Sequence, residues 1–239
     1  MNKIALVTGA NKGIGFEIAR QLGKAGFTVF VGARNAALGE EAAANLLAEK
    51  LESRSIELDL GRQETITSAA SAIKSFAGHL DVLVNNAAIA DPADGPPSTV
   101  DITTVERIMQ TNFFGTLRVT QAMLPLLREA PAGRVVNLSS GLGSLTLNGD
   151  PKWDFAGFKL LGYNTSKAAL NMLTIQLAYE LRDTPIKVNA AHPGSVVTDM
   201  NANGEIPVEE GAKTSVSLAT LPNDGYTGKF IYLGNELPW

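Results

Sequence analysis

The sequence contains no cysteine, which excludes disulfides, thiolate metal ligands and cysteine nucleophiles. It also lacks any basic run, since 20 lysines and arginines against 24 aspartates and glutamates give a net charge of −4. A surface that binds nucleic acid needs a basic stripe to neutralise phosphates, so we expect no nucleic-acid partner. The two histidines, His79 and His192, lack metal-ligand spacing with each other or with acids. We therefore expect both histidines to be structural and no metal to bind.

Long apolar segments are absent as well. The first apolar run, Ile4–Val7, is too short for the apolar part of a signal peptide. A membrane-spanning helix needs about 18 consecutive apolar residues, and the sequence has no such stretch. We therefore expect a cytoplasmic location, and we expect no membrane partner.

What the chain does have is an alternation of short apolar runs and longer helical patterns along its 239 residues. No linker or repeat divides it, which predicts one domain, residues 1–239. The runs are apolar throughout, as in strands covered on both faces, and they predict a doubly wound Rossmann α/β sheet of about seven parallel strands with helices on both faces. The predicted strands are Ile4–Thr8, Thr28–Ala33, Ser55–Leu60, Val82–Ala87, Arg134–Ser140, Lys187–His192 and Lys229–Leu233. The predicted helices lie near Ile14–Ala25, Ala36–Glu49, Glu64–Phe76, Thr104–Glu129, Gly162–Arg182 and Glu209–Thr220.

A glycine-rich turn connects the first predicted strand directly to the first helix. Glycines at this place allow a tight turn and let a pyrophosphate approach the helix N-terminus, where free N–H groups favour an anion. A purely structural turn is the alternative, but the position between the first strand and the first helix favours dinucleotide binding. The candidate cofactor-binding residues of this turn are Gly9, Asn11, Lys12, Gly13, Ile14 and Gly15.

The end of the second predicted strand indicates which dinucleotide binds. In this fold an acid there binds the ribose hydroxyls, whereas an arginine accommodates a 2′-phosphate. The strand is followed by Arg34 and no acid, and Lys12 would add a second positive charge. We expect NADP(H) as the cofactor, with ordinary surface cations as the alternative.

Tyr163 and Lys167 lie four positions apart in a predicted helix and therefore share one of its faces. Further motifs occur around this pair in a fixed order: Thr8-Gly9…Gly13-Ile14-Gly15, Asn85-Asn86-Ala87-Ala88, Asn112, Ser139-Ser140, and Pro193-Gly194…Thr198. In this order the motifs resemble the short-chain dehydrogenase/reductase family over nearly the whole chain. Asn11-Lys12, the long gap before Tyr163 and Thr198-Asp199-Met200 resemble its carbonyl-reductase branch.

The resemblance implies roles for individual residues. Ser140 would bind the substrate carbonyl, Tyr163 would be the general acid, and Asn112 would hold a water of the proton relay. Lys167 would bind the nicotinamide ribose and support the tyrosine. An ammonium about 4 Å away would lower the pKa of a tyrosine by up to about three units.

The remaining implied contacts are with the cofactor. Asp59 and Leu60 match the adenine contact, and Asn86, Ala87 and Ala88 match the turn beside the ribose and nicotinamide. Ala88 departs from the family pattern, which usually has glycine there. Val196 and Thr198 match the positions that hold the carboxamide, and Pro193 and Gly194 of the same motif are further cofactor-binding candidates.

The segment Gly141–Leu161 separates Ser140 from Tyr163 by more positions than is usual in the family. It carries Trp153, Phe155 and Phe158. We interpret it as an apolar lid over a bulky carbonyl substrate, with a surface excursion as the alternative.

These observations favour an NADPH-dependent oxidoreductase that transfers hydride to the carbonyl of an aldehyde or ketone. A 3-oxoacyl thioester reductase is the enzymatic alternative, and a dinucleotide-binding sensor without catalysis is the alternative from another class. A sensor would have no need for Ser140, Tyr163 and Lys167 together. The helices predicted at Thr104–Glu129 and Gly162–Arg182 are apolar on more than one stripe, so we also expect a homo-oligomer, a dimer or tetramer.

Overall fold

The structure is a computed structural model that describes residues 3–239. Its sheet has the strand order β3-β2-β1-β4-β5-β6-β7-β8, and the first seven strands are parallel. This confirms the predicted Rossmann architecture. The strands are β1 (Lys3–Thr8), β2 (Phe27–Ala33), β3 (Ser53–Glu57), β4 (Val82–Asn85), β5 (Arg134–Leu138), β6 (Lys187–Ala191), β7 (Phe230–Tyr232) and β8 (Asn235–Glu236).

Helices cover both faces of the sheet. Helices α1, α2 and α8 pack on one face in a cluster that includes Ile18, Leu46 and Leu218. Helices α3, α5 and α7 pack on the other face around residues such as Ile73 and Met123. No helix among residues 3–239 is long and apolar enough to cross a bilayer. The helices are α1 (Gly13–Lys24), α2 (Ala36–Ala48), α3 (Gln63–Ala77), α4 (Ile102–Met109), α5 (Thr116–Glu129), α6 (Leu145–Gly149), α7 (Leu161–Glu180) and α8 (Val208–Ala219).

The last strand was not anticipated. The predicted strand Lys229–Leu233 ends at Tyr232 because the backbone turns at Leu233 and Gly234, which both have positive φ. A two-residue turn of this kind matches the twist of a hairpin. The chain then returns as β8, antiparallel to β7, so the sheet has eight strands rather than seven.

The region predicted as one helix, Thr104–Glu129, consists of three helical segments in the structure. Between α4 and α5 the backbone widens into a π-helical turn at Gln110–Gly115, which contains Asn112. A π turn re-aims side chains and is frequent at functional sites. This one directs the Asn112 side chain toward the loop that follows β4, as described below.

Five strands, β3 to β7, are shorter at their carboxyl ends than predicted. After β4 the amide of Asn86 donates to the Thr8 hydroxyl, at 3.0 Å, and so leaves the strand ladder. Strand β3 ends at Glu57 rather than Leu60, and its first residue is Ser53 rather than Ser55. Because β3 lies at the sheet edge, it is partly exposed and not apolar throughout.

Candidate active site

The glycine turn packs against the turn after β4, at the carboxyl edge of the sheet. Asn86 closes the junction, because its Nδ2 donates to the carbonyls of Thr8 and Gly9 at 2.8 and 3.2 Å. A β-carbon at Gly15 would collide with this amide nitrogen and with the Gly9 carbonyl, so only glycine fits there. The two turns therefore form one wall of a cleft.

The N-terminus of α1 opens into this cleft. No side chain caps the helix, and its first turn contains no acidic residue. The nearest group to a β-carbon at Gly13 would be Thr198 Cγ2, 3.9 Å away, so the turn is open on that side. Uncapped N–H groups and a positive dipole end suit an anion such as a pyrophosphate. The residues present therefore fit a dinucleotide.

Lys12 lies at the mouth of the cleft and is already paired. Its Nζ is 2.6 Å from Asp199 Oδ2, and both side chains are exposed. The hydrogen bond and charge of Lys12 lower the pKa of Asp199. Arg34 follows β2 and is exposed. The Lys12–Asp199 pair thus joins the glycine turn to the loop after β6.

Asp59 and Leu60 lie in the turn after β3. The Asp59 amide donates to Thr65 Oγ1 at 3.0 Å, and its Oδ1 accepts from the Gly61 amide at 2.9 Å. Leu60 is buried against the π turn, where a β-carbon at Gly115 would lie 2.7 Å from Leu60 Cβ. This turn is thereby fixed beside α5.

The loop after β6 holds the remaining predicted cofactor contacts. It begins with Pro193 and Gly194 and folds back so that Val196 bridges Ile206. Val196 is buried, and Thr198 faces the glycine turn. These residues form the wall of the cleft opposite the turn after β4.

Ser140, Tyr163 and Lys167 come together where β5 ends. Ser140 begins the short turn Gly141–Gly143, and its Oγ accepts from the Leu142 amide at 3.2 Å. A β-carbon at Gly143 would lie 2.7 Å from Lys167 Cβ, so glycine lets this turn approach α7. The Lys167 ammonium lies 5.6 Å from the centre of the Tyr163 ring.

Burial dominates the ionisation of this pair. Lys167 is 3% exposed and donates to the Leu138 carbonyl at 2.7 Å, and burial lowers its pKa to about 8. Burial of the hydroxyl raises the pKa of Tyr163 to about 12, and the neighbouring Ser140 hydroxyl opposes this rise. The structure therefore gives a raised Tyr163 pKa and not the lowered one that we expected. The physical reason is that desolvation disfavours the charged tyrosinate.

Asn112 lies in the π turn and holds the loop after β4. Its Nδ2 donates to the Ile89 carbonyl and to Ser166 Oγ, at 2.9 and 3.0 Å, and its Oδ1 accepts from the Ile89 amide at 2.8 Å. Ser166 Oγ in turn donates to the Tyr163 carbonyl at 2.7 Å. Both amide hydrogens of Asn112 are used, so its side chain has no donor left for a relay water.

The segment Gly141–Leu161 contains α6 and a series of turns. A β-carbon at Gly141 would lie 3.2 Å from the Trp153 ring and 3.6 Å from His192 Nε2. The rings of Trp153 and Phe155 are 5.5 Å apart, and Phe158 is exposed. Trp153 therefore packs against the turn that carries Ser140.

Three residues of this region were missed or undervalued by the sequence analysis. His192 Nδ1 accepts from the Gly141 amide at 3.3 Å, and burial lowers its pKa to about 4. Ser166 and Asp94 both hold the backbone of Tyr163, Asp94 by accepting from its amide at 2.8 Å. The sequence holds one indirect signal for Asp94. No residue with a capping side chain precedes the predicted start of α7, so a cap from elsewhere in the chain is needed.

Comparison with known proteins agrees with this geometry. The family model described as short chain dehydrogenase matches residues 3–206. The chain belongs to the short-chain dehydrogenase family. Carbonyl reductase (NADPH) 1 of Sus scrofa is 36% identical, over 99% of this chain and 94% of the relative. The (+)-neomenthol dehydrogenase of Capsicum annuum is 30% identical, over 96% and 95%.

Solved structures give the same result. The NADPH-bound carbonyl reductase from chicken fatty liver superposes with a TM-score of 0.86 at 27% identity, covering 100% of this chain and 94% of that one. Salutaridine reductase from Papaver somniferum has a TM-score of 0.82 at 30% identity, covering 95% and 99%. Membership of the family and the carbonyl-reductase resemblance are thus confirmed.

The ionisation of Lys167 can be measured directly. We expect its ε-methylene NMR resonance, identified by its loss in Lys167→Arg, to titrate with a midpoint near 8, because burial disfavours the ammonium. The lysine is then charged below this pH and neutral above it. A midpoint near the ordinary lysine value of 10.5 would show that the ammonium is stabilised by contacts absent from this account.

Proposed function

We propose that this protein is an NADPH-dependent oxidoreductase that reduces the carbonyl group of an aldehyde or ketone. The observation that carries the proposal is the meeting of three side chains: the Tyr163 hydroxyl lies beside the Ser140 hydroxyl, and the ammonium of Lys167 lies 5.6 Å from the centre of the Tyr163 ring. The relatives named NADPH carbonyl reductases support the same chemistry and the same cofactor. A dinucleotide sensor would not require this group of three.

NADPH, when bound, supplies the hydride that reduces the carbonyl carbon. Ser140 holds the carbonyl oxygen by donating a hydrogen bond. Tyr163 then gives its hydroxyl proton to the oxygen as negative charge develops there, and the product is the alcohol. With a pKa near 12 the tyrosine carries its proton at neutral pH, but it is a weak acid by itself, so the proton transfer needs a neighbouring positive charge.

Lys167 makes this proton transfer possible. Loss of the proton leaves a buried tyrosinate, which is costly in a site of low dielectric constant. The lysine ammonium, charged below its pKa of about 8, stabilises that anion. We propose that Lys167 also binds the nicotinamide ribose. We propose that Asn112, whose side chain holds Ile89 and Ser166, also holds a water of the proton relay, with its oxygen atoms as acceptors.

The cofactor contacts are proposed by position. The uncapped glycine turn would hold the pyrophosphate, and Arg34 with Lys12 would bind the 2′-phosphate. Asp59 and Leu60 would contact the adenine, and the turn after β4 would lie beside the nicotinamide ribose. The carboxamide would lie against the loop after β6. The residues in this proposal are Gly9, Asn11, Lys12, Gly13, Ile14, Gly15, Arg34, Asp59, Leu60, Asn86, Ala87, Ala88, Pro193, Gly194, Val196 and Thr198.

We also propose that the segment Gly141–Leu161 forms part of the substrate site. The position of the Trp153 ring on Gly141, next to Ser140, supports this role. A homo-oligomer is a separate proposal, in which the helical regions predicted at Thr104–Glu129 and Gly162–Arg182 would form the interface. Phe114 in the first region is 40% exposed, and Met172 in the second is 53% exposed. We also propose that the protein is located in the cytoplasm.

Replacing Tyr163 tests the chemistry. Tyr163→Phe removes the proton donor and little else, so we expect kcat for NADPH-dependent reduction of a panel of aldehydes, ketones and 3-oxoacyl thioesters to fall at least about a hundredfold. NADPH affinity should stay within about twofold. Tyr179→Phe, an exposed position on the same helix, is the matched control and should behave as wild type. If Tyr163→Phe kept a tenth or more of wild-type kcat, another acid would have to act. The panel itself separates a ketone reductase from a thioester reductase.

Replacing Arg34 tests the cofactor choice. Arg34→Asp should weaken NADPH binding about tenfold or more, because it removes a charge-assisted contact to the 2′-phosphate, and it should leave NADH binding unimpaired. Asp199→Asn should tighten NADPH binding, since Lys12 then loses a competing carboxylate. Binding isotherms for both cofactors decide this. Equal wild-type affinity for NADPH and NADH, or an unchanged NADPH preference in Arg34→Asp, would contradict the assignment.

A further inference from the structure

The helix that carries Tyr163 begins without a cap of its own. Leu160 precedes α7 and offers no side-chain hydrogen bond, and the first turn of the helix contains no acid. The first N–H groups of a helix lack partners within the helix, so a partner must come from elsewhere. In α7 it comes from Asp94, whose Oδ1 accepts from the Gly162 amide at 2.9 Å and whose Oδ2 accepts from the Tyr163 amide at 2.8 Å.

Asp94 belongs to the loop between β4 and α4, 69 positions before Tyr163. This loop starts at the turn proposed to lie beside the nicotinamide ribose. Asn112 fixes it at Ile89, and the Gly95 carbonyl accepts from the Leu161 amide at 3.0 Å. The loop is therefore fastened at one end near the cofactor cleft and at the other to the start of α7.

The Tyr163 peptide is consequently held from both sides. Asp94 accepts from its N–H group, and Ser166 Oγ donates to its carbonyl. Ser166 also accepts from Asn112, which holds the same loop at Ile89. One continuous set of hydrogen bonds thus fixes the tyrosine relative to the turn beside the cofactor.

We propose that Asp94 is a positioning residue for the reaction: by holding the first turn of α7, it places Tyr163 against the cofactor side of the cleft. This inference rests on the proposed function. A misplacement of about 1 Å at a reacting group can cost about a hundredfold in rate, so the loss of both hydrogen bonds should be visible in kcat.

The experiment compares Asp94→Ala and Asp94→Asn with Asp101→Ala. Asp101 caps α4 through the Thr103 amide at 2.8 Å, so its replacement also removes a helix cap but does not touch α7. For Asp94→Ala we expect kcat to fall about tenfold to a hundredfold with NADPH affinity within about twofold. Asp101→Ala should keep kcat within about twofold.

Asp94→Asn retains part of the positioning, because its amide oxygen can still accept from one of the two N–H groups. We expect a smaller loss of kcat than in Asp94→Ala, with the KM for the carbonyl within about twofold of the wild-type value in both variants. A cap that only stabilised the fold would change the amount of folded enzyme and leave kcat per folded molecule unchanged.

Unchanged kcat in Asp94→Ala, an equal loss in Asp101→Ala, or no recovery of kcat in Asp94→Asn relative to Asp94→Ala would each overturn the inference. Hydrogen exchange of the Gly162 and Tyr163 amides gives a readout that needs no turnover, and it should accelerate in Asp94→Ala only. If the wild type reduced no carbonyl, the proposed function would fail, and the exchange result would decide whether Asp94 holds Tyr163.

Discussion

The structure depends on the burial of a lysine without a counter-charge. Lys167 is 3% exposed, and the Leu138 carbonyl is the hydrogen-bond partner of its ammonium. Removing a charge from water is expensive, and the lowered pKa of Lys167 reflects that cost. Because no carboxylate pairs with this ammonium in residues 3–239, its field remains available to the Tyr163 hydroxyl and to whatever binds beside it.

Neighbouring polar contacts hold the buried Lys167 and its helix in place. Asn171 joins α7 to the turn after β5, since its Oδ1 accepts from Ser139 Oγ at 2.6 Å and its Nδ2 donates to the Gly143 carbonyl at 3.2 Å. Deeper in the sheet, Asn137 donates to Thr174 Oγ1 at 2.9 Å. Helix α7 is thus tied to β5 by side chains that cannot move without leaving buried polar groups unpaired.

The sequence allowed the parts of the site that depend on local spacing to be predicted. Tyr163 and Lys167 share a face because they are four positions apart on a helix, and the glycine turn lies where the first strand meets the first helix. The alternation of strands and helices was enough to predict the parallel sheet. These features are set by residues close to one another in the chain.

Features created by contacts distant in the chain could not be predicted in this way. The π turn that aims Asn112 and the cap that Asp94 provides to α7 depend on tertiary packing. The ionisation of Tyr163 is of the same kind, because a pair of residues in the sequence indicates a charge interaction but not how deeply the hydroxyl is buried. The return of the chain at Leu233 into β8 is instead a local two-residue hairpin that the pattern of apolar runs did not reveal. Lys12 was correctly placed in the glycine turn, but its pairing with Asp199 became visible only in three dimensions.

The central claim is that hydride passes directly from the cofactor to a carbonyl carbon held between Ser140 and Tyr163. It is tested most directly by reducing a ketone with NADPH that carries two deuterium atoms at nicotinamide C4 and analysing the alcohol by mass spectrometry and NMR. The account predicts one deuterium per product molecule, bound to the carbinol carbon, with the hydroxyl proton drawn from solvent-exchangeable groups. Failure to form any alcohol across the carbonyl panel, or an alcohol without deuterium at that carbon, would contradict it.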